Sequence, residues 1–107
     1  MALDNQLREL YTAVERYVVP LLEREPSESG LTPEECRILA LQNINRLNQR
    51  IGFLVRKAIS DPGEMRILQT YVNSLTIGLK SDNKGQMRAA LSNARNFLIE
   101  RDENKQD

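Results

Sequence analysis

Residues 67–79 read Ile-Leu-Gln-Thr-Tyr-Val-Asn-Ser-Leu-Thr-Ile-Gly-Leu, with no charged side chain, in a chain whose charged residues make up 28% of the total. Two secondary structures compete for this stretch. Leu75, Ile77 and Leu79 alternate with the period of a half-buried strand, whereas Met65, Leu68, Val72, Leu75 and Leu79 recur by threes and fours, the spacing of one helical face. The helical pattern is the longer of the two, so a helix is expected to about Lys80, and with it an all-α fold. A surface helix normally buries one stripe and solvates the rest with charge, so an uncharged helix is expected to be covered on more than one side. A second stripe, Ile67, Tyr71, Ser74 and Gly78, lies about 120° from the first. Its small members, Ser74 and Gly78, suit the close approach of another helix, while Ile67 and Tyr71 supply contact area. The occupant is the second helix of the same bundle, a second copy or a different protein.

Working outward, Ser60-Asp61-Pro62-Gly63-Glu64 starts this helix, with Ser60 or Asp61 as cap and the proline in the first turn. Before it, Thr32-Pro33-Glu34-Glu35 is a helix start of the capping-box kind, since Thr32 can accept from the backbone and Glu35 can reach back to it. Ala40, Ile44, Leu47, Ile51, Leu54 and Ala58 then alternate by four and three, predicting one long helix over about 33–60, roughly 40 Å in length. At the N-terminal end Leu3, Leu7, Leu10, Val14, Tyr17 and Leu21 predict a helix from about 4 to 23, in which Pro20 removes a backbone hydrogen bond and is expected to kink or end it near Val19. Glu25 to Gly30 is loop chemistry. After the turn 80–85 a fourth helix is expected over about 84–101, with Met87, Leu91, Ala94 and Leu98 inward, and 102–107 as a disordered tail.

Four amphipathic helices on short loops prefer antiparallel neighbours. The expected architecture is a single up-down-up-down four-helix bundle over 1–101, oligomeric because the long helix should overhang its neighbours. A chain of 107 residues suits one domain. The formal charge is zero, so the molecule as a whole has no pull toward nucleic acid or anionic lipid, and no apolar run is long enough to span a bilayer. The single Cys36 cannot form an internal disulfide, and Met1 to Gln6 has no signal-peptide pattern, so a cytoplasmic protein is expected.

Catalytic chemistry finds little support. Histidine is absent, and with it the commonest general base and metal ligand. Glu34 and Glu35 beside Cys36 oppose a reactive thiolate. The acids Glu9, Glu15, Glu23, Glu34, Glu64 and Glu100 fall off the apolar stripes and read as solvated faces. No glycine-rich phosphate cradle occurs. No enzyme activity, cofactor, metal or small-molecule substrate is therefore expected.

The second helix carries a charge bias, with Arg37, Arg46, Arg50, Arg56 and Lys57 between Cys36 and Ser60 and no acid among them. Arg46, Arg50 and Lys57 share one flank with Phe53, an arrangement that can meet phosphates and stack a base, or an acidic protein partner. Pairing with the acid-rich first helix competes, and opposite charge on a sequential neighbour favours it. On the other flank, Leu41, Val55 and Ile59 form a second apolar line, with Asn48 beside it as a half-buried amide suited to fixing register in an oligomer. The expected function is a non-catalytic protein-interaction or regulatory module, an adaptor, assembly factor or inhibitor. It acts through Leu41, Val55 and Ile59 together with the Ile67 stripe. The alternatives are a nucleic-acid-binding accessory protein using the basic flank, and a purely structural helical homo-oligomer.

Overall fold

A computed structural model describes residues 4–23 and 30–103. Four helices follow one another: α1 (Asn5–Glu23), α2 (Pro33–Arg56), α3 (Pro62–Ser81) and α4 (Lys84–Glu103). They form an antiparallel up-down-up-down bundle in which α1 packs most extensively on α2 and α3 on α4, while the α2–α3 and α1–α4 sides are looser. No helix among the described residues is long and apolar enough to cross a membrane. Leu3 and residues 24–29 and 104–107 lie outside the described residues, so the expected loop up to Ser29 and most of the expected tail do too. The helix nevertheless carries through Asp102 and Glu103, two residues past its expected end.

Local chemistry sets the helix starts. The Asp4 carboxylate accepts from the Leu7 N–H at 2.8 Å ahead of α1. The Thr32–Glu35 capping box forms in both directions at 3.1 Å, and Asp61, rather than Ser60, caps α3 by accepting from the Glu64 N–H. Asn83 performs the same service for Gln86 in α4. Each side-chain oxygen satisfies a backbone donor that has no partner within its own helix.

α1 spans Asn5–Glu23 as its apolar stripe predicts, and of the two effects expected of Pro20, a kink or an end near Val19, the end does not occur. The end of α2 departs from expectation. α2, expected to reach residue 60, stops at Arg56. Ala58 there takes a left-handed conformation at φ 55°, its N–H bonds the Val55 carbonyl, and the Ile59 N–H bonds the Leu54 carbonyl at 2.9 Å. This is a Schellman closure, which satisfies carbonyls of the last turn. Ala58, expected on the inward seam, is exposed. With 24 residues α2 is about 36 Å long against about 30 Å for its neighbours, so little of it overhangs.

The core follows the predicted stripes. Ala40, Ile44, Leu47, Ile51 and Leu54 of α2 and Met65, Leu68, Val72, Leu75 and Leu79 of α3 are all buried, joined by Met87, Leu91, Ala94 and Leu98 of α4. From α1 the fully buried set is Leu7, Tyr11, Val14 and Val18, with Leu10, Tyr17 and Leu21 packed at its edge. Tyr11 enters because α1 meets α4 as well as α2, and its hydroxyl donates to the Leu91 carbonyl at 2.8 Å. Truncating one of the large buried residues such as Leu47 to alanine should cost about 2 to 5 kcal/mol through the cavity left behind.

Candidate interaction surface

The seven apolar candidates do not form one surface. Gly78 is buried against α4, where a Cβ on it would stand 3.0 Å from the Met87 nitrogen, and Ser74 accepts from Gln86 of α4 at 3.3 Å. The close approach that these small residues permit is therefore made inside the bundle. Tyr71 is half-buried against the core, and Ile67 alone of that stripe is exposed. Leu41 and Val55 lie on α2, seven residues either side of Asn48 and so on its α3-facing flank, across α3 from the Ser74–Gly78 stripe, and Ile59 follows in the turn. Leu41 is half-buried against the core, whereas Val55 and, in the turn beyond the helix, Ile59 are exposed.

Asn48 marks this second side. Its Oδ1 accepts from Gln69 Nε2 of α3 at 2.7 Å, and the same amide nitrogen donates to Asn73 at 3.0 Å. The half-buried amide thus ties α2 to α3 within one chain, which is the register role expected of it between chains.

The basic flank is divided. Arg50 is bound to Asp4 by two hydrogen bonds and lies over the Phe53 ring at 4.9 Å, so the ring expected to stack a base is covered by the arginine. Arg37 pairs with Glu34 one turn away. Arg46 and Lys57 are exposed, and neither forms an ion pair among the described residues. Lys57 caps α2 rather than continuing it.

The remaining polar features are structural in character. Arg95 pairs with Glu15 across the loose α1–α4 side, above a shallow depression lined by Val19, Leu22, Leu91 and Ser92. Arg101 at the end of α4 lies over Phe97 at 4.1 Å and reaches Glu64 at the start of α3. Cys36 is buried in the first turn of α2, and burial, with Glu35 beside it, pushes its thiol pKa up, away from a nucleophilic thiolate. Among the described residues no group of three or more His, Cys, Asp or Glu is placed to hold a metal ion.

A different surface emerges from the loose α2–α3 side. At ~100° per residue, Ile38, Leu41, Asn45, Asn48 and Gly52 recur by threes and fours along the side of α2 away from α1. Arg46 shares the flank of Arg50, which turns toward Asp4 of the α1 hairpin. Across the groove α3 contributes Gln69, Asn73, Thr76 and Ile77. Between Arg37 and Arg56 on α2, and between Arg66 and Lys80 on α3, this side carries no charge. Ile38 is 46% and Ile77 57% exposed. Ile38 did not stand out in the sequence, and Ile77 did so only in the strand-like alternation that the helical pattern outweighs. The signal was present in Ile38 to Asn45, an eight-residue run as free of charge as 67–79, but only the packing of α2 beside α3 joins the two runs.

No family model, curated protein or solved structure matches this chain.

Proposed function

We propose that the chain is a non-catalytic protein-interaction module that docks through the uncharged side of α2 and α3. The observation that carries this reading is an uncharged side shared by two adjacent helices, with exposed isoleucines at Ile38 and Ile77, in a chain that is 28% charged. Charge depletion, more than bulk hydrophobicity, is what distinguishes the centre of a protein interface from the rest of a surface. The remaining polar groups there are amides and hydroxyls, which both donate and accept and are inexpensive to desolvate beside charges. An adaptor, assembly factor or inhibitor works by occupying a partner's surface in this way. A cytoplasmic setting fits the same reading, since the one cysteine is free and buried.

The test is site-specific photo-cross-linking in the source cell. A photo-reactive residue replacing Asn45, exposed on this side, should give discrete protein adducts, whereas one replacing Asn93, exposed on α4, should give none. Adducts of equal yield from both positions, or from neither, would overturn the reading.

A further inference from the structure

We infer that the α2 half of this side is occupied by a second copy of the chain, docked with its α2 antiparallel to the first about a two-fold axis at Asn45. The inference rests on the proposed interaction module and adds its partner. It is carried by what stands at equal distances from Asn45 along α2.

Seven residues on either side are Ile38 and Gly52, four on either side Leu41 and Gln49, and eleven on either side Glu34 and Arg56. A two-fold axis at Asn45 brings each residue against the other member of its pair in the second copy. The exposed Ile38 of one copy then meets Gly52 of the other, where the helix has no side chain of its own. The Arg56 guanidinium lies over that position, with Nη1 3.3 Å from where a Cβ on Gly52 would stand, and in the pairing its flexible side chain swings off Gly52 toward the partner's Glu34 to admit Ile38. Glu34 is exposed and held in place by Arg37. Glu34, paired with Arg37, thus stands at one end of this stripe and Arg56, without an ion pair among the described residues, at the other, and only an antiparallel pairing sets Glu34 against Arg56. At the axis the two Asn45 amides meet, and each can donate to and accept from its equal, as a polar residue in a helical seam does when it fixes register.

The same operation moves Arg66 on α3 of one copy toward Lys80 on α3 of the other. These like charges hold the α3 flanks apart and confine the contact to a crossing of the two α2 helices. A contact of that width is at the small end of specific interfaces, and the dimer should dissociate at roughly 10 µM to 1 mM.

Sedimentation equilibrium over that range tests the inference. The wild type should dimerise. Glu34→Arg and Arg56→Glu should each weaken the dimer about tenfold or more, the two together should restore it, and Gly52→Leu should abolish it by filling the seat of Ile38. Circular dichroism at low concentration checks that each variant remains helical. A wild type monomeric throughout, or a double variant no tighter than the single ones, overturns the self-pairing. The cross-linker at Asn45 separates the two levels of inference. Adducts at twice the chain mass support the second copy. Adducts only with a different protein overturn it while leaving the interaction module standing, and no adduct at all overturns both.

Discussion

Arg50 of α2 holds the carboxylate of Asp4, the residue just ahead of α1, through Nε to Oδ1 at 3.0 Å and Nη2 to Oδ2 at 2.6 Å. Oδ1 also accepts from the Leu7 N–H, so one carboxylate both caps α1 and fastens its start to α2 forty-six residues away in sequence. The hydrogen bond from Arg50 is the main reason that the Asp4 pKa lies below the usual carboxylate value, with burial working against it.

That depressed pKa gives a pH dependence of known sign. Asp4 has a lower pKa folded than unfolded, so its stabilisation is complete above the unfolded value and is lost as pH falls through the folded one. Asp4→Ala should cost about 1 to 2 kcal/mol at pH 7 from the lost cap alone. The gap from wild type should narrow below about pH 4 as the carboxylate is neutralised. Asp4→Asn retains a capping oxygen but not the charge, and should fall between the two. Urea denaturation at pH 7 and at pH 3 checks both statements, and a gap that widens in acid would refute them.

Two glycines in helices should respond to alanine with opposite sign. At Gly78 the new Cβ stands 3.0 Å from the Met87 backbone nitrogen and 3.1 Å from its Cγ, so α3 and α4 must separate, and Gly78→Ala should destabilise by about 1 to 2 kcal/mol. At Gly52 the nearest atom is the movable end of Arg56, and Gly52→Ala should gain up to about 1 kcal/mol of helix propensity. Denaturation midpoints at micromolar protein, where self-pairing does not contribute, compare them directly.

Ala58 offers the converse substitution. Its left-handed φ of 55° places a Cβ where glycine is ordinarily found after a helix. Ala58→Gly should therefore raise stability by about 0.5 to 1 kcal/mol with no change in the denaturant slope. A loss of stability would mean that α2 does not close at this point.

The Tyr11 hydroxyl is the buried hydrogen bond between α1 and α4, helices that otherwise pack loosely. Tyr11→Phe should cost about 0.5 to 1.5 kcal/mol, since the Leu91 carbonyl loses this donor while the ring remains in place. Burial, reinforced by Glu15, raises the Tyr11 pKa well above that of a free phenol. Spectrophotometric titration should therefore leave this one of the three tyrosines protonated at a pH where a model phenol has ionised.

Much of the fold is written in short-range pattern. The Thr32–Glu35 capping box, the Asp61-Pro62 start and the stripe from Met65 to Leu79 each involve residues within a few turns of one another, and all three form as their spacing predicts. The end of α2 was not legible, because nothing in an alanine announces the left-handed conformation that a Schellman closure imposes on Ala58. The extent of α1 was legible in its stripe from Leu7 to Leu21, whereas the early end that Pro20 suggested does not occur, because the bundle holds α1 helical beyond the missing hydrogen bond.

What the chain settles by itself is which residues turn inward, because helical period is a property of neighbours three and four apart. What the tertiary structure alone decides is the neighbour of each second flank. Ser74 and Gly78 are consumed by α4, Asn48 by Gln69 of α3, and Arg50 by Asp4, so three features that invited a partner from outside are satisfied within one molecule. The angle of a residue about its helix says that it needs a neighbour but not which helix supplies it, since that depends on how the helices are arranged around the core. The same arrangement sets Ile38 to Asn45 beside 67–79, and turns two separate uncharged runs into one uncharged side.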